Sequence, residues 1–357
     1  MKVVDGITRW ITCLVMIGLM GSYTAPYINP NTCSLPSLLG LAYHYLLLVN
    51  VVLLLYWICR RKKIALCLLG LLLAGYPFMR RYYGMNVKGN ADLPCDMEIL
   101  SYNVHHLDNR GLLHDSPDGK RKIESYIRRF PGDIVCLQDF PHEKNLARMF
   151  PGYRYSYAQK DLVILSRREI IHRGTIEFDR AAAASCIYCD ILLSGNDTVR
   201  VYCVHLESFR FDGSDRRLIL DFPGLQRETI SRGLRSIISR LLAANKRRAE
   251  QAAIVKAHVA RAPYKIILCG DFNDIPLSYT YTLLKRGMHD SFIEKGRGVG
   301  NTYIGEFPSF RIDHILHDPA LRALSYARDT LRLSDHYPIR ATFGLRSSGT
   351  QQDKKAL

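Results

Sequence analysis

Long apolar runs with short polar breaks fill the first 79 residues of the chain. No charged residue occurs between Trp10 and Cys59, and four consecutive bases follow at residues 60–63. A membrane span needs about 20 apolar residues. The pattern therefore predicts three membrane-spanning helices, at residues 10–28, 37–59 and 64–79. The third run is short, so two spans are the alternative.

Basic residues are distributed unevenly around these runs, and this asymmetry predicts an orientation. Lys2 and Arg9 precede the first run, the loop at residues 29–36 has no base, and residues 60–63 are all basic. Because cytoplasmic loops are rich in Lys and Arg, we expect an inner N-terminus. After three spans, the C-terminal domain then lies on the outer face of a plasma or inner membrane. Two spans would leave that domain in the cytoplasm, and Arg80 also argues for the inner side.

Two other interpretations of the apolar region are a signal peptide and a buried helical hairpin of a soluble protein. A signal peptide ends in a small-residue cleavage site followed by polar chain, whereas more apolar sequence follows here. A buried hairpin of a soluble protein does not need a charge-free stretch of this length with bases at its borders, whereas membrane spans typically have one. Membrane spans are therefore the preferred interpretation.

The rest of the chain has the composition of an ordinary soluble domain. Over the whole sequence 48% of residues are hydrophobic and 23% are charged, which excludes wholesale disorder. The first 91 residues, with nine bases and one acid, contribute half of the net charge of +16. We therefore expect a transmembrane region at 1–83, a linker at 84–96, a globular domain at 97–346 and a disordered tail at 347–357.

Short β-rich runs alternate with amphipathic helical patterns after the linker. The predicted strands are 97–104, 133–138, 162–166, 186–193, 199–205, 265–269, 312–316 and 337–343. The predicted helices are 119–130 and about 228–262. Strands and helices mixed in this way indicate a layered α/β domain. The second helix is long and basic, which fits nucleic acid, anionic lipid headgroups or a solvated face.

Polar clusters follow five of the apolar strands. They are Ser101-Tyr102-Asn103, Leu137-Gln138-Asp139, Val204-His205-Leu206, Gly270-Asp271-Phe272-Asn273, and the pair Arg311-Ile312-Asp313-His314 with Ser334-Asp335-His336. One such cluster alone is commonly a turn or a helix cap. Because five of them recur at the exits of buried strands, we expect them to meet at one rim of the domain.

Carboxylate, carboxamide and imidazole groups gathered at one rim suit phosphoryl chemistry. Oxygen ligands favour a hard cation such as Mg²⁺ or Mn²⁺ over zinc. The CxxC of Cys186 and Cys189 lacks the second pair typical of zinc sites. A hard cation neutralises phosphate charge while an activated water attacks phosphorus. The reaction also needs a base near neutral pH, and His336 beside a carboxylate fits that role.

A family resemblance rests on six motifs. The chain contains, in this order, SYNV, CLQD, VHL, GDFND, RIDHIL and SDHYP. These motifs resemble those of the endonuclease/exonuclease/phosphatase superfamily, which includes pancreatic deoxyribonuclease and neutral sphingomyelinases, and the resemblance covers about residues 97–343. It implies a four-layered α/β sandwich, in which helices flank two facing mixed β-sheets. It also implies a Mg²⁺-dependent phosphoester hydrolase.

The resemblance also implies a role for each motif residue. The residues that match metal-binding positions are Asn103, Asp139 and Asp335. The residues that match catalytic positions are His205, which contacts the scissile phosphate, Asp271 and Asn273, which position or activate water, Asp313, which orients the last histidine, and His336, a base or transition-state stabiliser. Mechanisms in the family differ on whether His336 or Asp271 takes the proton.

Asp139 departs from the family pattern, in which a glutamate binds the metal. The shorter side chain implies weaker metal binding, a bridging water or an impaired enzyme, and we expect retained activity because Asp still offers oxygen ligands. The sequence thus indicates a membrane-anchored, Mg²⁺-dependent phosphodiesterase or phosphatase. Its expected partners are the lipid bilayer and a phosphoester substrate, either a lipid headgroup or nucleic acid, with no protein partner. A tethered nuclease and a catalytically impaired scaffold are the alternatives.

Overall fold

The computed structural model describes most of the chain. The described residues are 2–87, 95–108, 118–143, 145–178, 184–209, 227–305 and 309–345. The predicted disordered tail at 347–357 and the middle of the predicted linker at 84–96 lie outside them.

Short and long apolar helices form the N-terminal region. They are Lys2–Thr24, Leu35–Leu41, Tyr43–Cys59, Ile64–Ala74 and Tyr76–Met79. Among the described helices, only Val4–Thr24 is by itself long and apolar enough to cross a membrane. A second span exists if Leu35–Leu41 and Tyr43–Cys59, bent by 66°, count as one. The prediction of two or three spans is therefore not confirmed.

Two breaks in the backbone shorten the predicted spans. Ala42 separates the two halves of the bent pair. Gly75 ends the helix Ile64–Ala74, and Pro77 follows within the next short helix. Glycine and proline at such positions interrupt the ladder of helical hydrogen bonds, so one apolar run divides into two helices.

The C-terminal domain consists mainly of β-strands. In chain order they are β1 Tyr83–Met85, β2 Met97–Asn103, β3 Ile134–Gln138, β4 Tyr155–Gln159, β5 Leu162–Ser166, β6 Ile170–Ile176, β7 Ser185–Leu192, β8 Thr198–His205, β9 Lys265–Asp271, β10 His289–Asp290, β11 Arg297–Val299, β12 Asp313–His317, β13 Leu321–Arg328 and β14 Ile339–Leu345. The helices of this domain are Gly119–Arg129, Leu146–Met149, Arg227–Val259, Tyr279–Lys285 and Ser291–Lys295.

Two six-stranded sheets organise the domain. Their strand orders are β10-β12-β9-β8-β7-β6 and β13-β14-β2-β3-β5-β4. The pairs β8–β9 and β2–β3 are parallel, and their neighbours in each sheet are antiparallel. Both sheets are therefore mixed, as the sequence predicts. A small third sheet pairs β1 with β11.

Apolar side chains from both large sheets share one buried cluster. Ile99 and Ile164 come from one sheet, and Val201 and Ile267 come from the other. Alternate residues of a strand face opposite sides of a sheet, so each sheet buries one face against its partner. The two sheets therefore pack face to face.

Helices cover the outer face of each sheet. Ile123 on Gly119–Arg129 packs against one sheet. Val255 on Arg227–Val259, called the long helix below, packs against the other. The domain thus consists of two mixed sheets with flanking helices, which agrees with the predicted fold class.

The eight predicted strands are all present among the described residues, and six further strands, of which β6 and β13 are the longest, were not predicted. β6 and β13 lie at the edges of their sheets. An edge strand is partly exposed, and several positions of both strands are not buried. The apolar alternation that identifies a strand is therefore weak in these two segments.

The N-terminal helices contact the domain directly. Leu19 and Tyr43 of these helices share a buried cluster with Leu277 and Ile312 of the domain. Arg311 of the domain donates a hydrogen bond of 2.7 Å to the carbonyl of Arg81. The domain therefore packs against one end of the helices.

Candidate active site

Backbone pairing brings three of the predicted residues side by side. His205 at the end of β8 is the register partner of Asp271 in β9. Asp313 at the start of β12 is the register partner of Asp271 on its other side. Gly270 enables this arrangement because its φ is +137° and a Cβ there would lie 2.0 Å from the carbonyl oxygen of Val204.

Asp271 is the centre of the site. Its Oδ2 accepts a hydrogen bond of 3.0 Å from Nδ2 of Asn103. The same oxygen lies 3.9 Å from Nε2 of His205 and 3.7 Å from Nε2 of His336. Asn103, His205 and His336, each predicted from a separate motif, thus lie around one buried carboxylate oxygen of Asp271.

The surroundings of Asp271 change its acidity. Burial, followed by the negative charge of Asp313, raises the pKa of Asp271 to about 6, although His336 and His205 act in the opposite direction. An ordinary aspartic acid has a pKa near 3.9. Asp271 therefore changes protonation state close to neutral pH.

His336 and Asp313 form a buried pair. Nδ1 of His336 lies 2.8 Å from Oδ2 of Asp313. Burial opposes protonation of His336, but Asp313 and Asp271 together outweigh it and raise the pKa of His336 to about 10. Asp313 is thus in contact with the histidine that the family resemblance expects it to orient. The imidazole is then a cation at neutral pH.

His205 is paired with Asp161, a residue that the sequence analysis missed. Nδ1 of His205 lies 2.5 Å from Oδ2 of Asp161, and Ser185 donates to the other oxygen of that carboxylate. Burial opposes protonation of His205, but Asp161 and, more weakly, Asp271 raise the pKa of His205 to about 9. Despite burial, the pKa of Asp161 falls because His205 stabilises its anion.

Asp139 and Asp335 lie beside two consecutive histidines. Nε2 of His106 is 3.0 Å from Oδ1 of Asp139. Nδ1 of His105 is 3.4 Å from Oδ1 of Asp335. The backbone φ values of His105, His106 and Asp139 are +45°, +55° and +52°, a region that is uncommon for residues other than glycine. Unfavourable backbone of this kind is often held at functional sites.

Asn273 supports the site through the backbone. Its Nδ2 donates 2.9 Å to the carbonyl of Leu206, and its main-chain N–H donates 2.8 Å to Oδ1 of Asp271. Its φ of +50° turns the chain sharply after β9. The side chain of Asn273 therefore ties the end of β8 to the segment after β9.

Among the described residues, two groups of side chains could hold a metal ion. One consists of Asp139, Asp161 and His205, and the other of Asp271, Asp313 and His336. Within each group, the potential ligand atoms lie within 4.8 Å of one another. Oδ1 of Asp313 is buried and has no hydrogen-bond partner among the described residues. A carboxylate-rich donor set with such an oxygen fits a divalent cation.

The fold and this constellation define a class of protein, and a family model agrees. Residues 100–336 match the model described as Endonuclease/Exonuclease/phosphatase family. The chain belongs to this family, whose members are hydrolases of phosphoester bonds and include metal-dependent phosphatases and nucleases. Residues 5–82 match a second model, described as a domain of unknown function (DUF8431). No curated protein matches the chain.

Solved structures show the same fold at low sequence identity. The endonuclease/exonuclease/phosphatase of Bacteroides vulgatus is 16% identical, covers 71% of this chain and 100% of its own, and superposes with a TM-score of 0.53. The catalytic domain of human Nocturnin, solved with a bound sulfate anion, is 16% identical, with coverages of 71% and 96% and a TM-score of 0.51. These likenesses establish the fold alone.

Proposed function

We propose that this protein is a membrane-anchored, Mg²⁺-dependent phosphoester hydrolase in which water attacks phosphorus. The observation that carries the proposal is the convergence of Asn103, His205 and His336 on Oδ2 of Asp271. A buried carboxylate with two imidazoles is suited to proton transfer and to binding an anion. An ion pair that only stabilises the fold does not require Asn103, His205 and His336 together around one carboxylate.

The oxygen atoms that these residues offer are suitable ligands for Mg²⁺. Asp139, Asp161 and Asp335 offer carboxylate oxygens, and Asn103 offers a carboxamide close to Asp271. Mg²⁺ prefers oxygen ligands, and Mn²⁺ accepts the same set. When bound, the cation neutralises negative charge on the phosphoryl oxygens. Asp139 is one methylene shorter than the glutamate of the family pattern. The neighbouring Asp161 supplies a further carboxylate beside Asp139 and His205.

Asp271 is the residue that we propose as the base. Its pKa of about 6 leaves it mostly ionised at neutral pH yet still able to accept a proton. Asn103 and the main-chain N–H of Asn273 hold the two carboxylate oxygens, so the carboxylate is fixed in orientation. His336, which the sequence suggests as a base, is already protonated at neutral pH because of Asp313 and Asp271.

His205 and His336 are the residues that we propose to act as cations. Both are protonated at neutral pH, so both attract a phosphate. Asp161 accepts from Nδ1 of His205, which leaves the proton on Nε2 facing the site. His205 is therefore placed to give a proton to the leaving oxygen, and His336 to stabilise charge that develops on the phosphoryl oxygens.

The membrane anchor of the proposal is the N-terminal apolar region. Among the described helices, Val4–Thr24 is by itself long and apolar enough to span a bilayer. Arg60 donates 2.7 Å to Asp5, so the basic loop at 60–63 lies at the same end as the N-terminus. Tyr43 and Tyr82 stack at the domain end. These contacts favour a multi-pass arrangement with the basic loop inside and the domain on the outer face.

The substrate panel that tests this function compares plasmid DNA, RNA, a phosphoinositide, sphingomyelin and a soluble phosphodiester, each with Mg²⁺ or with EDTA. We expect hydrolysis of at least one substrate in Mg²⁺, its loss in EDTA, and its loss in His205→Ala. Hydrolysis of nucleic acid alone would favour the tethered nuclease. No hydrolysis by the wild type, with activity gained in Asp139→Glu, would establish the impaired scaffold instead.

The pH profile gives a second test of the residue roles. At saturating Mg²⁺, we expect kcat/KM to rise through about pH 6 as Asp271 loses its proton. It should fall through about pH 9 as His205 loses its own. Asp161→Asn removes the anion that raises the pKa of His205, so the alkaline limb should move down by about one to three pH units. Asp197→Asn, an exposed carboxylate paired with Lys265, is the matched control. An alkaline limb that stays in place in Asp161→Asn would contradict the role of His205.

A further inference from the structure

The first half of the long helix carries an apolar stripe. Its members recur at the spacing of one helix face and are Ile230, Leu234, Ile237, Ile238, Leu241 and Leu242. Leu234 is 44% exposed and Ile238 is 41% exposed. Among the described residues, none of the six belongs to a hydrophobic cluster.

The second half of the same helix differs because it packs on the domain. Ala252, Val255 and Val259 are buried in the cluster on the outer face of the sheet. Asn245 stands near the border between the halves. At 1.5 Å per residue, the first half extends about 22 Å beyond Asn245. Packing on the sheet therefore does not account for the apolar stripe.

Bases accompany the stripe. No acid occurs between Thr229 and Ala249, and the bases in that stretch are Arg232, Arg235, Arg240, Lys246, Arg247 and Arg248. Arg235 follows Leu234 directly, is exposed, and borders the stripe on the polar side of the helix. An apolar stripe bordered by arginines is typical of helices that lie in the interface of a bilayer. Nucleic acid would be attracted by the bases but would leave the stripe exposed to water.

The position of the long helix agrees with a bilayer partner. Nδ2 of Asn245 donates 2.9 Å to Oγ of Ser37, and Nδ2 of Asn31 donates 3.3 Å to the carbonyl of Lys246. Asn31 and Ser37 follow the candidate span Val4–Thr24, whose Trp10 is 76% exposed. The long helix thus meets the apolar N-terminal region at the end where the domain packs.

A second group of bases lies at the same end of the apolar helices. Arg80, which directly follows the last of these helices, lines a cavity of about 410 Å³ together with Lys295 and Arg322. Glu294 also lines the cavity, but its carboxylate faces His317 at 3.3 Å. Positive charge therefore surrounds the junction in more than one place, which suits a negatively charged surface.

We propose that the first half of the long helix lies in the interface of an anionic phospholipid bilayer. The apolar stripe enters the acyl boundary, and Arg235 at its border contacts the headgroups. The inference rests on the membrane anchoring of the proposed function. It goes further because it assigns a second attachment, formed by the domain itself, that holds the domain in one orientation on the membrane.

Hydrogen exchange of the full chain tests this proposal. The chain is placed in detergent, in nanodiscs of phosphatidylcholine, and in nanodiscs that also contain phosphatidylglycerol. We expect peptides within residues 230–243 to exchange at least about tenfold more slowly in the anionic nanodiscs than in detergent, with less protection in pure phosphatidylcholine. Added salt should weaken the difference between the two nanodiscs.

Two variants of the same helix provide the control. Leu234→Ser combined with Ile238→Ser should lose the protection in anionic nanodiscs. Ile254→Ser changes an apolar residue that is 43% exposed on the packed half, and it should keep the protection. Neither variant should change hydrolysis of a soluble phosphodiester, because none of these residues lies in the site.

The possible outcomes separate failure of this proposal from failure of the proposed function on which it rests. Equal protection in detergent and in nanodiscs would show that the chain itself or a second copy covers the stripe, and the proposal would be overturned. Protection on addition of RNA or DNA, without an effect of lipid, would overturn it in favour of nucleic acid. Release of the wild type from membranes by alkaline wash would instead refute the anchor, and absence of hydrolysis would refute the enzyme.

Discussion

Asp271→Asn should lower kcat by about 1,000-fold, because a positioned general base contributes about 10²- to 10⁴-fold. The asparagine has nearly the same shape, so it preserves the packing between His205 and His336. It removes the negative charge and the proton acceptor, and it replaces with an amide one of the two oxygens that accept from Asn103 and Asn273. The measurement is kcat in saturating Mg²⁺, with the fold checked by circular dichroism.

The matched control for this variant is Asp197→Asn. Asp197 pairs with Lys265 at 2.6 Å, and its side chain is 42% exposed. It lies directly before β8, and His205 lies at the other end of that strand. We expect its kcat to equal that of the wild type. If Asp271→Asn kept more than about a tenth of the wild-type kcat, Asp271 would not be the base, and His336 would have to be reconsidered.

Arg311→Met should lower the free energy of unfolding by about 3–5 kcal/mol, the usual cost of removing one partner of a buried ion pair. Arg311 is completely buried and pairs with Asp290 at 2.5 Å. It also donates to the carbonyl of Arg81, so the variant loses a link to the N-terminal helices. The measurement is thermal unfolding of the full chain in a single detergent, monitored by circular dichroism.

Two further variants decide whether the buried pair is the cause. Arg340→Met also removes ion pairs, with Glu98 and Asp329, but Arg340 is 39% exposed, and exposed pairs contribute only about 0–1 kcal/mol. Its unfolding temperature should stay close to that of the wild type. Adding Asp290→Asn to Arg311→Met removes the stranded charge and should restore part of the loss. A double variant no more stable than Arg311→Met alone would contradict this explanation.

The fold was largely predictable because buried strands have a strong signature. Segments such as 133–138 and 265–269 are apolar on both faces and end in a polar cluster, and both prove to be central strands. Edge strands such as β6 lack this signature because solvent tolerates polar residues there. The lengths of the N-terminal helices were harder to predict, since hydropathy does not reveal where a helix is interrupted, as at Ala42 and Gly75.

The candidate site was predictable in part, and the reason is the direction of the strands. His205 and Asp271 stand at the ends of parallel strands, so both reach the same rim. Asp161 stands at the beginning of β5, which runs antiparallel to β3. Its place beside Asp139 follows only once that pairing is known. An acid directly before a buried strand, as in Lys160-Asp161-Leu162, was the available signal.

The positions of His105 and His106 were not predictable from the sequence, for a different reason. Their contacts with Asp335 and Asp139 depend on left-handed backbone at three successive residues, including Leu107. No propensity of histidine or leucine predicts such a conformation. The tertiary contacts of the rim impose it, and a sequence pattern reports only local preferences.

The pairing of His205 with Asp271 across β8 and β9 bears on how proteins with this fold diverge over time. The two groups are held by main-chain hydrogen bonds between neighbouring strands, so their spacing does not depend on any surrounding loop. Insertions or replacements in the loops around these strand ends could therefore retune which molecules reach them. The reacting groups would keep their separation while substrate choice diverges.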